Sequence, residues 1–469
     1  MCGNPAILGQ GPATAPAGAV VIPAGNDSGT VLAHNWTMKP DTTYWFAPGT
    51  HTLGAGQFAQ IIPANGDVFT GAPGAILDGR HQNLFAFTES AHDVTISYLT
   101  IQNFGRPGDS GGQGVVNHDM GAQWHISHVT VQDSAGAGVM LGTGNVLSYS
   151  CLKGNGEYGL QGEGETLDPV NIIVDHNEIV GNNTDNWEAR QPGCGCDGGG
   201  KFWGVDGATI TDNYVHDNHG PGLWGDTDNR GFDVEGNYLA NNEGEGLIWE
   251  ISYNLRLADN NFVRNALQDG PHLGGFPDGA VYISESGADS QVPGRYGNTL
   301  AITGNIFNDN WSGVVLWENA DRFCGSPDNT SSSNCTLVNQ KKVTLHSCNA
   351  GNIDKRPYYN ECRWKTQNVL VSGNTFTFKP SDIGPDCTAA KFCGFNGIFS
   401  QYGTQPNWSP YHGTVVEDHI TFDQDNHFRS NTYNGPWRFV IHEQGNVVNW
   451  AQWRAAPYGQ DAGSALNAG

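Results

Sequence analysis

Basic residues are scarce in this sequence. Its 469 residues include 22 Lys and Arg against 47 Asp and Glu, which gives a formal net charge of −25. Such a charge repels the phosphates of nucleic acids and the anionic surface of membranes, so neither is expected as a partner. A neutral or cationic ligand is expected instead, and an acidic polysaccharide fits only with a local basic cluster. The sequence does not indicate an oligomeric state.

Long apolar runs are also missing, as is an opening basic segment followed by an apolar one. No membrane-spanning segment is therefore expected. The opening residues MCGNPA fit an initiator Met placed on an already trimmed mature sequence. Gly accounts for 65 residues, about twice its usual share, while hydrophobic residues make up 38%. This composition predicts a folded protein that is rich in turns.

The ten cysteines contain no CxxC motif and no Cys/His set with zinc-binding spacing. Cys194 and Cys196 lack a second pair of ligands. Scattered buried thiols are one alternative, but close pairs in irregular segments favour disulfides, and disulfides favour a secreted, extracellular protein. The close pairs are Cys324/Cys335, Cys348/Cys362 and Cys387/Cys393.

A repeat runs through most of the chain. Five short β-rich runs each lead to an Asn, and these Asn residues are 213, 237, 261, 305 and 374. The first two intervals are 24 residues, and the later ones contain insertions. Weaker copies extend back to residue 93, which makes about nine coils.

Strand–turn–strand repeats of this length cannot bury their own apolar face and must stack on their neighbours. Stacked turns would bring the repeated Asn side chains into a hydrogen-bonded ladder. The prediction is an all-β, right-handed parallel β-helix with loop insertions and capped ends. A β-propeller is disfavoured because its blades need roughly 40 or more residues each.

The chain is expected to form a single continuous β-helix domain with four segments. The predicted segments are N-terminal capping and first coils (1–92), central coils with the active site (93–318), a disulfide-bearing insertion (319–367), and last coils with a C-terminal cap (368–469).

Two carboxylates occupy equivalent positions in successive repeats, GPGLWGDTDN and GEGLIWEISYN. Asp226 and Glu250 are 24 residues apart, so stacked coils would place them side by side at about 4.8 Å. Two like charges so close are costly, which argues against a purely structural role. Retaining glycosidases use two carboxyl groups about 5–5.5 Å apart, so the pair is predicted to be catalytic.

The GLWGD and GLIWE segments, with the preceding GGKFWGVDGATITDN, resemble the catalytic coils of the parallel β-helix β-xylosidases. They resemble the β-helix lacto-N-biosidases, also in the pectate-lyase-like superfamily, more distantly. The resemblance covers roughly residues 198–262 and implies that Asp226 is the nucleophile and Glu250 the acid/base. It departs from the family in two respects: Thr227 replaces the Trp of an Asp-Trp pair, and Asp228 adds a second carboxylate that competes for the role of nucleophile.

Other residues of the same and nearby coils are expected to bind substrate, because aromatic rings stack well on sugar rings and polar groups bind hydroxyls. Glu285 is also expected to border the cleft. The predicted substrate-binding residues are Trp224, Trp249, Lys201, Trp203, Asp278, Tyr282, Trp317 and Glu318.

These observations predict a secreted retaining glycoside hydrolase that acts on a poly- or oligosaccharide without a cofactor or metal. One alternative is a polysaccharide lyase or epimerase in which Asp226, Asp228 and Glu250 hold Ca²⁺ and Lys201 or Arg230 is the base. The other is a non-catalytic glycan-binding β-helix. The sugar, the linkage and endo or exo action cannot be read from the sequence.

Overall fold

The computed structural model describes residues 2, 4–25, 39–88, 90–106, 114–164, 169–272, 277–292, 299–319, 322, 342–344, 346–349, 351–362, 364–400, 411 and 413–467. The chain divides into two compact units, Met1–Leu223 (unit 1) and Trp224–Gly469 (unit 2). Each unit contains strands of three parallel sheets, which we call sheets 1, 2 and 3. The predicted segment bounds at 92, 318 and 367 stay a prediction.

Unit 1 is built from short strands. They are β1 (Val20–Ile22), β2 (Thr43–Phe46), β3 (Gly49–Thr52), β4 (Val68–Gly71), β5 (Ala75–Asp78), β6 (Thr95–Ser97), β7 (Thr100–Gln102), β8 (His125–Ser127), β9 (Thr130–Gln132), β10 (Val139–Leu141), β11 (Val146–Ser148), β12 (Cys151–Lys153), β13 (Leu160–Glu163), β14 (Pro169–Asp175), β15 (Glu178–Val180), β16 (Gly200–Trp203), β17 (Asp206–Thr211) and β18 (Tyr214–His216). Sheet 1 has β1, β2, β4, β6, β8, β11, β14 and β17, sheet 2 has β3, β5, β7, β9, β12, β15 and β18, and sheet 3 has β10, β13 and β16.

The next strand, β19 (Leu223–Asp226), starts on the last residue of unit 1. The strands that follow are β20 (Arg230–Glu235), β21 (Tyr238–Ala240), β22 (Leu247–Glu250), β23 (Tyr253–Ala258), β24 (Asn261–Val263), β25 (Val281–Ser284), β26 (Leu300–Thr303), β27 (Ile306–Asn308), β28 (Val314–Glu318), β29 (Val369–Ser372), β30 (Thr375–Thr377), β31 (Phe395–Ser400), β32 (His427–Arg429), β33 (Thr432–Asn434), β34 (Arg438–Glu443), β35 (Val447–Val448) and β36 (Ala465–Asn467). In unit 2, sheet 1 has β20, β23, β26, β29 and β32, sheet 2 has β21, β24, β27, β30, β33 and β36, and sheet 3 has β19, β22, β25, β28, β31 and β34 with β35 antiparallel on its edge.

The helices are short. They are α1 (Pro5–Leu8), α2 (Trp187–Arg190), α3 (Tyr358–Glu361), α4 (Pro380–Ile383), α5 (Val415–Asp418) and α6 (Trp450–Arg454), with a 3₁₀ turn (Ala389–Lys391) and a π turn (His419–Asp423). Among the described residues, no helix has the length and apolar character needed to cross a lipid bilayer.

The core of unit 2 is a set of columns in which equivalent side chains stack. In sheet 2, Phe262, Phe307 and Phe376 are direct register partners, and Tyr433 continues the column. Their ring centroids are 5.0, 4.5 and 4.9 Å apart, close to the spacing of about 4.8 Å between neighbouring strands. Each coil therefore buries its apolar face against the next one.

A ladder of buried Asn side chains runs through the turns of unit 2. Each amide donates to the side-chain oxygen of the next member at 2.9–3.2 Å. The members are Asn237, Asn260, Asn305, Asn374 and Asn431. An unpaired buried polar group costs about 1–3 kcal/mol, so the ladder fixes the relative position of the turns.

One predicted member of the ladder is wrong. Asn261 was expected there, but it starts strand β24, and Asn260 takes the place in the ladder. Phe232 of β20 pairs with Leu255 of β23, which lies 23 residues later. The sequence repeat suggested an interval of 24 residues. The ladder Asn directly follows a left-handed residue, which is Asp259 here (φ 54°).

Two of the expected cysteine pairs are confirmed as disulfides, Cys348–Cys362 and Cys387–Cys393. Cys2 also pairs with Cys151, and Cys194 with Cys196. The third expected pair, Cys324/Cys335, lies outside the described residues.

Replacing Asn260 by Ala removes a ladder member and leaves the buried amide groups of Asn237 and Asn305 short of a partner. We expect the free energy of unfolding to fall by about 2 kcal/mol or more, measured by chemical denaturation. Asn261→Ala is the matched control, with an expected change within about 0.5 kcal/mol. Equal losses at the two positions would contradict the ladder assignment.

Candidate active site

Strands β19 and β22 place the two catalytic candidates side by side in unit 2. The backbone N–H of Thr227 donates to the carbonyl of Glu250 at 3.0 Å, and that of Asp228 donates to Ile251 at 2.8 Å. This is the pattern of a parallel pair in which Asp226 is the register partner of Glu250, so the two lie next to each other in sheet 3. Neighbouring parallel strands are about 4.8 Å apart, and the two carboxylates start from adjacent backbone positions.

Side chains alternate between the core and the outer face along β19. Leu223 and Gly225 are buried, whereas Trp224 and Asp226 are partly exposed. A Cβ at Gly225 would lie 2.3 Å from the ring of Trp249. Glycine is therefore needed at 225 for the two strands to pack closely behind the carboxylates.

Glu250 is only 7% exposed and is held by two groups. The indole N–H of Trp224 donates to Oε2 at 3.3 Å. The guanidinium of Arg322 forms an ion pair with Oε1, and it also contacts Glu285 at 3.2 Å. Arg322 thus links two carboxylates of neighbouring coils, and both of its partners are buried.

The turn after β19 orients Asp226. The hydroxyl of Thr227 donates to Asp226 Oδ1 at 2.8 Å, and the amide of Asn229 donates to the Asp226 carbonyl at 2.9 Å. Thr227 and Asp228 have φ angles of 48° and 63°, a left-handed conformation that is unfavourable for a β-branched residue such as Thr. Backbone strain of this kind costs about 1–3 kcal/mol and clusters at functional sites.

The turn after β19 also contains one extra residue. Asp226 and Arg230 are four residues apart, whereas the equivalent Glu250 and Tyr253 are three apart. Across this turn, the number of residues between paired positions of the two coils therefore falls by one, from 24 for Asp226 and Glu250 to 23 for Arg230 and Tyr253. Asp228, which the family pattern does not contain, lies in this longer turn and is partly exposed.

Tyr282 and Trp317 belong to the next strands of sheet 3 and are both buried. Their rings are 5.7 Å apart at 60°, and they pack in an apolar cluster with Val315 and Phe399. Burial, and next the charge of Glu250, raise the pKa of Tyr282 well above its usual value. In this structure both rings pack against protein, which leaves little of them accessible to a sugar.

Two more predicted residues are in the interior. Trp249 was expected to contact substrate, but it is 1% exposed and packs against Phe232 at 4.9 Å between ring centroids. Trp249 and Glu250 are adjacent residues of one strand, so their side chains point to opposite faces and that of Trp249 faces the core. Glu318 is fully buried, and its Oε2 accepts a hydrogen bond from Gln424 at 2.7 Å.

Asp278 pairs with another acid, Glu245. Burial raises the pKa of Asp278 to about 7, and Asp269 adds to the rise. Burial, and next the charge of Asp278, raise the pKa of Glu245 well above its usual value. The two carboxyl groups approach each other, although neither oxygen of Asp278 makes a hydrogen bond of normal geometry to another described residue. Asp278 precedes β25, whereas Glu250 ends β22, so the two acids occupy opposite ends of the sheet 3 strands.

Lys201 and Trp203 belong to β16 of unit 1. Lys201 is buried and its ammonium group donates to the carbonyl of Gly195 at 2.6 Å. Burial raises the pKa of the nearby Glu157 to about 7, and the charge of Lys201 opposes this rise. Trp203 is 43% exposed.

Sequence reasoning missed Arg322 and Thr227. Arg322 lies in the long insertion, and no repeat or spacing connects it to Glu250. Thr227 was noted only as a departure from the family pattern, although a Thr hydroxyl next to a candidate nucleophile is an ordinary hydrogen-bond donor.

Comparison with known proteins identifies the fold. A model of the right-handed β-helix region matches residues 113–295. The chain is a right-handed parallel β-helix. No sequence relative was found among curated proteins. The resemblance to the β-xylosidases has no counterpart in these matches and stays a prediction.

Solved structures are similar to the chain at low identity. One is the catalytic unit of a thermostable GH87 α-1,3-glucanase from Streptomyces thermodiastaticus strain HF3-3, with a TM-score of 0.54 and 13% identity over 97% of this chain and 70% of that chain. Another is the A-module of the mannuronan C-5 epimerase AlgE6 from Azotobacter vinelandii, with a TM-score of 0.42 and 13% identity over 77% of this chain and 91% of that chain. At these identities the likeness concerns the fold alone.

The buried acids make the stability of the protein depend on pH. Asp278 has a pKa of about 7 in the folded state and about 3.9 when unfolded, so between these values the folded state binds more protons. Stability therefore falls as pH rises through this window. We expect Asp278→Asn to remove part of that loss, so that the variant gains stability relative to the wild type between pH 5 and pH 7.5. Denaturation curves at the two pH values measure the effect, and a constant difference would contradict the raised pKa.

Proposed function

We propose that the chain is a secreted enzyme that acts on a polysaccharide and cleaves glycosidic bonds with retention of configuration. The observation that supports this proposal best is the position of Asp226 beside Glu250 on neighbouring strands. Retaining glycosidases need two carboxyl groups about 5–5.5 Å apart, and one strand spacing supplies about 4.8 Å between their backbones. The partly exposed Trp224 on the same face offers an aromatic surface for a sugar ring.

The contacts of each carboxylate suit a different role. Asp226 acts as the nucleophile, and the hydroxyl of Thr227 holds one of its oxygens in place. Glu250 acts as the acid/base, giving a proton to the leaving group and later taking one from water. The charge that Glu250 acquires in the first step is stabilised by Arg322 and by the indole N–H of Trp224. This is an electrostatic contribution in a site with little exposure to water.

Neutral glucans are the first substrates to test. The relative with the TM-score of 0.54 is described as an α-1,3-glucanase, and the strong negative charge of this chain disfavours acidic polymers. The sugar and linkage are then decided by assay with α- and β-linked glucans.

The Ca²⁺-dependent lyase or epimerase is less well supported. Among the described residues, the side chains of Asp175, His176 and Asp212 form a group whose ligand atoms all lie within 4.8 Å of one another, whereas Asp226, Asp228 and Glu250 form no such group. Arg322 moreover already provides a positive charge at Glu250.

Replacing Glu250 by Gln keeps the shape of the side chain and removes its acid/base chemistry. We expect turnover to fall by about 10²–10⁴-fold, measured as new reducing ends from a panel of glucans, with thermal unfolding unchanged within a few degrees. Asp226→Asn is expected to lose as much. Glu443→Gln, at an exposed carboxylate at the end of β34 in the same sheet, is the matched control. Full activity in both site variants would contradict the roles proposed for the pair. Ca²⁺-dependent ultraviolet absorbance from unsaturated uronates would indicate a lyase, and wild type that gives neither signal would leave a glycan-binding protein.

Replacing Arg322 by Met removes the cation between Glu250 and Glu285 and leaves two buried carboxylates uncompensated. We expect kcat to fall by about tenfold or more with a smaller change in KM, because Arg322 acts on Glu250 rather than on bound sugar. Arg322→Lys is expected to restore part of the rate. Arg264→Met, at an arginine that donates to the Asp382 carbonyl at the surface, is the control. Equal rates in the Met and Lys variants would mean that the charge at 322 has no part in turnover.

A further inference from the structure

A polar cavity of about 280 Å³ lies within unit 2, apart from the carboxylate pair. Every residue that lines it is charged or carries an amide or imidazole group. The residues that matter here are Arg356, Glu361, Lys365, Gln367, His419 and Gln424. Helix α3 and the segments on either side of it, together with the π turn and the residue after it, supply these side chains.

The cavity has a rigid wall. Gln424 is buried, and its amide donates to Glu318 at 2.7 Å and to the Thr366 carbonyl at 2.8 Å. Gln367, also buried, donates to Asp289 at 3.1 Å. The Cys348–Cys362 disulfide joins the end of α3 to the segment before it. Side chains fixed in this way lose little entropy when a ligand binds.

One buried polar atom in the wall has no hydrogen-bond partner among the residues that the structure describes. Glu361 is 6% exposed, and its Oε1 accepts from Lys342 at 2.8 Å. Its other oxygen, Oε2, is buried and makes no hydrogen bond to any other described residue. Such an atom is costly unless something donates to it, so a ligand hydroxyl that reaches Glu361 from the cavity would satisfy it.

The charges of the cavity indicate the class of ligand. Two cations, Arg356 and Lys365, face three carboxylates, Asp289, Glu361 and Asp423. Burial lowers the pKa of His419, which favours its neutral form. An anion therefore meets more negative than positive charge, and a hydrocarbon finds no apolar wall. A neutral polyhydroxyl compound, whose groups both donate and accept, matches this mixture.

The wall is connected to sheet 3 through strand β28. Glu250 is in register with Ser284, and Ser284 with Trp317, so Trp317 is two strand spacings, or about 10 Å, from Glu250. Glu318 follows Trp317 and accepts the hydrogen bond from Gln424. A few linked residues therefore separate the catalytic carboxylate from the cavity, a distance comparable to the length of a short oligosaccharide.

We propose that this cavity binds one neutral sugar unit, with Glu361 and Arg356 as its hydrogen-bonding residues. The choice of sugar as ligand rests on the proposed function. The binding site itself rests on the buried acceptor of Glu361 and on the polar, fixed wall.

The test measures binding without turnover. Three proteins are compared by calorimetry: the Glu250→Gln variant alone, and the same variant with Arg356→Ala or with Glu361→Gln added. Each is titrated with nigerotriose, cellotriose, trigalacturonate and inorganic phosphate. Lys355→Ala is the matched control, because Lys355 is the neighbour of Arg356, is highly exposed and does not line the cavity. We expect one of the neutral trisaccharides to bind, with at least a tenfold loss of affinity in both cavity variants and no change in the control.

Each other result overturns the proposal. Neutral sugars that bind all variants equally, binding by trigalacturonate or phosphate alone, or no binding by any probe would each do so. Thermal unfolding of every variant shows that it is folded, and the more conservative Glu361→Gln keeps the test valid if Arg356→Ala unfolds. Cleavage by wild type without any effect of the cavity variants overturns this proposal alone, whereas cavity-dependent binding without cleavage overturns the proposed function alone.

Discussion

The structure depends on the register between neighbouring coils. The parallel strands of unit 2 form their hydrogen bonds with the strands one coil away, and the same register stacks the aromatic column and the Asn ladder. A slip of one residue would turn every side chain of a strand to the opposite face. It would also break the ladder, so position and burial are fixed together. Asp226 and Glu250 are adjacent because β19 and β22 satisfy this requirement with these two residues as register partners.

Two pairs of acids in unit 2 show different ways of accommodating like charges. The guanidinium of Arg322 contacts both Glu250 and Glu285 and so places a cation between two buried carboxyl groups. Within the described part of the chain, no such cation lies between Glu245 and Asp278, and burial favours their protonated forms. A stacked fold brings equivalent side chains close whether or not this is favourable. The surrounding residues then decide between a counter-ion and a proton.

Periodic features were readable from the sequence, and contacts between distant segments were not. The repeat predicted the fold and the neighbouring positions of Asp226 and Glu250, because both follow from a regular interval. The same interval misplaced the ladder at Asn261, since the longer turn after Asp226 changes the register by one residue. The burial of Trp249 could have been predicted from the sequence, because adjacent residues of a strand face opposite sides. The contact between Arg322 and Glu250 could not be predicted, because Arg322 lies in an insertion that does not follow the repeat.

The left-handed turn positions have a consequence for how this site can change. Thr227, Ile251 and Glu285 directly follow the ends of successive sheet 3 strands, with φ angles of 48°, 44° and 45°. Glycine would adopt this conformation without steric penalty, so a side chain at each of these positions lowers the stability of the fold. At 227 a glycine would relax the backbone and remove the hydroxyl that holds Asp226, and at 285 it would remove a partner of Arg322. Selection for a more stable fold and selection for the proposed site therefore act in opposite directions at these residues.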